Sequence, residues 1–169
     1  MIWKPDSLPL RSKWHPDGPL LPVEFARHSE RDRLTLVLLQ TGEAVPTLWA
    51  EIEAPDIPSA RSALRVRENA NLRDIGYCDT GVAGQGLHLN FIRAWAQSHG
   101  VDGVVWTCLG PKWRNTDGRI PTADEVLTFL RAQPKNSEAE EYVRKAPKQV
   151  DTMYRRRIVA DLGWTHILV

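Results

Sequence analysis

Residues 73 to 109 constrain this chain more than any other stretch. A short apolar segment, Arg73 to Cys78, runs into the glycine-rich phrase GVAGQG (81–86). An amphipathic segment follows, and then a second apolar segment, VDGVVWTCL (101–109). Leu87, Phe91 and Trp95, with Ile92 and Ala96, recur at helical spacing and make one broad apolar face, which predicts a helix from about Gly84 to His99. Gly100 suits its C-terminal end. Strand, helix and strand in so short a span predict a βαβ unit. Strands 73–78 and 102–108 are then parallel and joined by a right-handed crossover.

The remaining chain reads in the same terms. LTLVLLQ (34–40) is a near-continuous apolar run, as expected of a central strand covered on both faces. In TLWAEIEA (47–54), Leu48, Ala50, Ile52 and Ala54 alternate with Trp49, Glu51 and Glu53, the period of a strand with one polar face. The two should form a hairpin. Asp56 or Ser59 can cap a helix reaching Glu68, with Pro58 tolerated in its first turn. Thr122 with Glu125, and Ser137 with Glu140, have capping-box spacing, and each precedes a helix ended by a proline, Pro134 and Pro147. A last helix runs from Asp151 or Thr152 to Leu162 and stops at Gly163, leaving WTHILV for an edge strand. Residues 1–31 hold five prolines and read as an extended arm. The expected class is α/β (or α+β): a proline-rich arm, 1–31, and a single domain, 32–169, with a mixed sheet, one βαβ unit and a helical C-terminal third.

Composition narrows the function classes. A chain of 169 residues suits one domain with its own core. Its 22 basic and 21 acidic residues leave a net charge of +1, which gives no global reason to expect a nucleic-acid or membrane partner. Two cysteines without a CxxC pair make neither a disulfide framework nor a zinc site, and point to free thiols in a reducing cytoplasm. The N-terminus lacks the apolar core of a signal peptide, and the longest apolar run, Leu36 to Leu39, is too short for a bilayer. Of the seven tryptophans, Trp3, Trp14 and Trp113 lie in irregular segments, where they either line a binding surface or pin loops to the core.

Two loops offer chemistry. Ligands of open α/β sheets sit beyond the carboxyl ends of parallel strands. On the expected topology two loops meet there, Cys78–Gly86 and Cys108–Arg119. In the first, Gly81, Gly84 and Gly86 let backbone approach a ligand, Gln85 lies between them, and Asp79 and Thr80 add an acceptor and a hydroxyl. In the second, Lys112, Arg114 and Arg119 suit phosphate or carboxylate, while Trp106, Thr107 and Trp113 supply a flat wall and a polar handle. The expectation is an anionic small molecule, with no cofactor required and no metal. Beside it stands a plain structural corner, because G-x-x-G-x-G lacks the GK[ST] of a P-loop and reverses the dinucleotide fingerprint. Cys78 is either a thiol activated at a helix N-terminus or a small buried hydrophobe. Arg155, Arg156 and Arg157 are consecutive, so on a helix they point in three directions.

Two resemblances add expectations. VVWTCLGPKW (104–113), PTADEVLTFL (121–130) and EEYVRKAPKQVDTMYRRRIVADLGW (140–164) resemble a group of small uncharacterised bacterial proteins, which implies a bacterial or phage source and no activity. GVAGQGLHLNFIRAWAQSHGVDGVVWT (81–107) resembles the acyl-coenzyme A segment of GNAT acetyltransferases. That resemblance implies an acyltransferase using acetyl-coenzyme A, its pyrophosphate held by backbone N–H groups of Gly84, Gln85 and Gly86. A further expectation is a protein-interaction or regulatory protein that docks a protein partner through tryptophans of the arm.

Overall fold

The computed structural model describes residues 6–29 and 32–168. Trp3 and the start of the arm, and Val169 at the end of the expected last strand, lie outside them. In chain order the elements are β1 (Leu20–Ser29), β2 (Arg33–Leu38), β3 (Ala44–Pro46), α1 (Ile57–Glu68), β4 (Ile75–Asp79), β5 (Gly84–Gln85), α2 (Leu89–Ser98), β6 (Gly103–Thr107), β7 (Lys112–Trp113), β8 (Thr116–Asp117), α3 (Ala123–Arg131), α4 (Glu138–Lys145) and α5 (Met153–Leu162). The content is mixed α/β, as the sequence pattern implies. The chain divides into two compact units, Met1–Leu21 with Pro46–Leu109, and Pro22–Val45 with Gly110–Val169.

In the first unit, α1 starts where expected. Asp56 accepts a hydrogen bond from the Ser59 amide at 2.8 Å, and Asn69 ends the helix in the left-handed region at φ 48°. Its buried residues, Ala60 and Leu64, face β4 and β6. The sheet order is β5-β4-β6. Both pairings are antiparallel, Tyr77 opposite Gln85 and Ile75 through Asp79 opposite Thr107 through Gly103. This corrects the parallel βαβ expectation, and the cause is local. The chain reverses at residues 80–83 and runs back along β4 as β5. The following helix then returns it to the end it left, where the Thr80 amide bonds the Asp102 carbonyl at 3.2 Å. One extra reversal inverts the polarity of β6. It also delays α2, which begins at Leu89 behind His88 at φ 62° rather than near Gly84.

The arm is ordered over the described part. It lies antiparallel to residues 47–53, with bridges Leu10–Ile52 and His15–Trp49. The Arg11 amide bonds Glu51 at 2.8 Å, and the Glu53 amide bonds Pro9 at 2.7 Å. The 47–54 segment therefore pairs with the arm and not with 34–40. Pro9, Pro16 and Pro19 have no N–H to donate, which reduces the ladder to isolated bridges.

In the second unit, β1 is the strand that the arm reading omits. It pairs antiparallel with β2, Val23 opposite Leu38 through Ser29 opposite Arg33, and parallel with β7 at Arg27–Lys112. The order β2-β1-β7-β8, with β3 also on β1, leaves β2 at an edge rather than in the centre. Phe25, Leu34, Trp113, Leu130, Val143 and Ile158 are central to the core. Thr122 and Glu125 form the expected capping box, Ser137 and Thr152 cap α4 and α5, and Gly163 at φ 70° ends the last helix. WTHILV adds no strand over its described residues. The Ile167 amide and His166 Nδ1 instead bond carbonyls at the end of α4, Arg144 at 3.0 Å for each.

Glu24 is buried on β1, where only its partners explain it. Its carboxylate accepts from the Thr152 hydroxyl, from the Phe25 amide at 2.8 Å and from the Tyr154 amide at 3.2 Å, which joins β1 to the first turn of α5. Burial is the largest influence on this carboxyl and raises its pKa, against the three hydrogen bonds. A raised folded pKa gives stability present at low pH and lost as pH climbs through that pKa. The stability of the natural protein relative to Glu24→Gln should therefore fall as pH rises from about 4 towards 7, measured by urea denaturation; an equal pH slope in both would contradict this. Glu24→Ala should cost about 1–3 kcal/mol for each donor left buried and unpaired.

Candidate functional site

The sequence-defined candidates fall in both units. Cys78, Asp79, Thr80, Gly81, Gly84, Gln85, Gly86, Trp106 and Thr107 belong to the first, and Lys112, Trp113 and Arg114 to the second. Within the first unit, antiparallel pairing sends the chain out of β4 and out of β6 at opposite ends of the sheet. The hairpin tip lies beside Gly103, whereas Trp106 and Thr107 lie beside Gly76 and Ile75.

The stretch Tyr77–Gly86 is a β-hairpin. Its turn shows carbonyl oxygens to α2, and α2 answers with donors. The Arg93 guanidinium donates to Asp79 O at 3.3 Å, Val82 O at 3.1 Å and Ala83 O at 2.9 Å. Gln97 Nε2 donates to Thr80 O at 3.0 Å. An anion site needs convergent N–H groups. Here a protein cation already sits against the turn, and Gly84 and Gln85 are paired to Cys78 and Tyr77 ahead of the helix.

The glycines are explained by close approach. A Cβ on Gly84 would stand 2.7 Å from Leu89 Cδ1 and 2.8 Å from an Arg93 nitrogen. One on Gly86, at φ 130°, would stand 2.9 Å from the Trp106 ring, and one on Gly76 would enter the same indole. Trp106 is half-buried over these two glycines. Gly81 differs, since its nearest neighbour would be an Asp79 carboxylate oxygen at 3.4 Å.

Cys78 is fully buried, and burial chiefly pushes its thiol up, with Arg93 opposing and Asp79 adding to the rise. Cys108 is half-buried and raised for the same first reason. Neither has the electropositive, open setting of a nucleophilic thiol. Among the described residues, no group of three His, Cys, Asp or Glu side chains could hold a metal ion.

In the second unit, GPKWRNTDGR forms the tight hairpin β7–β8, with Arg114 at φ 52° in the two-residue turn between Trp113 and Thr116. Trp113, expected to line a pocket, is 1% exposed and packs on Phe129 at 5.6 Å between ring centroids. Lys112 pairs with Asp117 at 3.5 Å and Arg119 with Glu125 at 2.5 Å. The arginine run is likewise engaged. Arg155 is buried on the carbonyls of Ala146, Pro147 and Val150, Arg156 pairs with Glu43 and Asp151, and Arg157 pairs with Asp124 and Asp161.

The feature that stands apart is the solvent face of α2. Asn90, Phe91, Ala94, Gln97 and Ser98 are its exposed positions, and none carries a charge. The helix has one charged residue, Arg93, and that side chain is turned onto the hairpin. Of the expected apolar face, Ile92 and Ala96 are buried, while Phe91 is 70% exposed. Leu87, also expected on that face, precedes the helix. Val82, at the tip of the hairpin whose carbonyls Arg93 holds, is 94% exposed. The exposed positions of α3, α4 and α5 all include charges: Asp124 and Arg131, Glu138, and Arg156, Arg157 and Asp161. The exposed positions of α1, Pro58, Ser62 and Val66, are likewise uncharged, so what separates α2 from α1 is its exposed aromatic residue, Phe91.

No family model, curated protein or solved structure matches this chain. Among the described residues, no helix is long and apolar enough to cross a membrane.

Close approach at the glycines makes a graded prediction. Gly76→Ala should overpack the Trp106 contact and lower stability by about 1–3 kcal/mol. Gly81→Ala should stay within about 0.5 kcal/mol. Chemical denaturation of the two variants checks this, and equal costs would refute the packing account.

Proposed function

We propose that this chain is a protein-interaction protein that pairs with a second copy of itself through the exposed face of α2. The carrying observation is a solvent-facing helix surface that has an exposed phenylalanine and no charge. Surface helices ordinarily place charged residues on that side. Charge depletion around an aromatic residue is the composition of an interface centre.

The choice of a second copy follows from the same chemistry. In a two-fold contact a residue on the axis meets its own copy, so a charge there would meet a like charge. A face made of Asn90, Phe91, Ala94, Gln97 and Ser98 carries no such penalty. Ala94 and Ser98 are small, which lets two helices approach closely. A ten-residue helix is about 15 Å long, so even with Val82 the patch falls short of the roughly 800 Å² per partner of a standard stable interface. The pairing should be weak, with a dissociation constant on the order of 10 μM.

Sedimentation equilibrium across a concentration series tests the reading. The natural protein should show a reversible dimer and Phe91→Asp a monomer of unchanged thermal stability. Val66→Asp on α1, 58% exposed, should dimerise as the natural protein does. A natural protein that stays monomeric at several hundred micromolar, or dimerisation retained in Phe91→Asp, would overturn self-pairing.

A further inference from the structure

The arm of the first unit is fastened to α2 by four rings around one carboxylate. His15 stacks on Trp49 with centroids 4.5 Å apart, Trp49 meets Trp95 edge-on at 5.4 Å, and Trp95 stacks on His99 at 4.8 Å. Asp17 lies among them. Its Oδ1 accepts from Trp49 Nε1 at 2.8 Å, its carbonyl accepts from Trp95 Nε1 at 2.8 Å, and its Oδ2 faces His99 Nε2 at 3.8 Å. The Trp49 hydrogen bond, with smaller help from His99 and His15, holds the Asp17 carboxyl below its ordinary range, so it is charged at any pH near neutral.

The two imidazoles are not equivalent. His99 Nδ1 lies 2.9 Å from the Trp95 carbonyl, which can only accept, and the nearby Ser98 hydroxyl donates to that same carbonyl at 2.8 Å, so the Nδ1–H tautomer fits the neutral ring. Neutral His99 then presents a bare lone pair at Nε2 to the Asp17 carboxylate, and no hydrogen bond forms. A second proton, on Nε2, converts this facing pair into a charged hydrogen bond and sets a cation over the Trp95 ring. His15 Nε2, by contrast, is buried without a hydrogen-bond partner and faces no carboxylate at ion-pair distance. The groups facing the pair are Asp17 and His15 from the arm, the Trp49 indole from the 47–53 segment, and Trp95 and the Ser98 hydroxyl from α2.

We propose that His99 and Asp17 form a proton-operated latch, which tightens the hold of the N-terminal arm on α2 as pH falls through the imidazole range. At higher pH the turn at residues 14–18 keeps its backbone bridges and loses the ion pair, so it opens more often.

Hydrogen exchange of three amides reads the latch: His15 to Trp49 O, Trp49 to His15 O, and Gly18 to Thr47 O. Between pH 8 and 5.5 their protection, corrected for intrinsic exchange, should rise roughly two- to five-fold, the size of one exposed ion pair. His99→Gln should abolish the rise. Asp17→Asn should do the same while its amide oxygen still accepts from Trp49 Nε1, and His15→Gln should leave the rise in place. The Cys108 amide, bonded to Asp74 O at 2.7 Å, is the internal control. A flat natural profile, a rise surviving in His99→Gln, or an equal rise at Cys108 would overturn the latch.

Discussion

The guanidinium of Arg93, set against the carbonyls of Asp79, Val82 and Ala83, is the contact on which the first unit depends. A planar fork of five donors can satisfy several carbonyls of one turn at once, which no lysine could do in the same geometry. Three consequences follow from that placement. The turn closes into a hairpin, so β5 runs back along β4 and β6 arrives antiparallel. The turn's acceptors are occupied by a protein cation. The solvent face of α2 loses its only charge, which leaves Phe91 among uncharged neighbours.

The second unit uses the same device twice, with a cation and an anion. Arg155 is buried on the carbonyls of Ala146, Pro147 and Val150, and burial pulls its pKa down. Glu24 is buried on the amides of Phe25 and Tyr154 and on the Thr152 hydroxyl. Each charge meets backbone dipoles, joined at Glu24 by the Thr152 hydroxyl, rather than a direct salt bridge. An ionised group can remain inside a fold when its hydrogen-bonding capacity is filled in this way, and removing the partners would strand it. These two residues join the loop after α4, β1 and the start of α5, which explains charged residues at core positions.

Local signals carried most of the helices. Asp56, the Thr122–Glu125 pair, Ser137, Thr152 and Gly163 each act through neighbours a turn away, so the sequence displays them directly. Partners distant in the chain were not legible. β1 contains Pro22, Glu24 and Arg27, and Glu24 finds its hydrogen bonds on Thr152 and Tyr154, which no local pattern reveals. The polarity of β6 turned on whether residues 80–86 made a corner or a hairpin. The deciding donors, Arg93 and Gln97, follow that stretch on α2. The glycines admitted two readings, a backbone open to a ligand or a plain structural corner. What comes close is the Trp106 indole, Leu89 and Arg93. Trp113 carried no sign of its burial, because its core partners come from α3 and β1.

Arg93 holds the hairpin and thereby sets the polarity of the sheet. Amide exchange in Arg93→Ala against the natural protein tests it most directly. The Asp79 amide, bonded to Ala83 O at 3.2 Å, and the Thr80 amide, bonded to Asp102 O, should lose most of their protection, while Cys108, bonded to Asp74 at the far end of β4, keeps its own. Unchanged protection at Asp79 and Thr80 would show that the turn stands without Arg93 and would contradict the account.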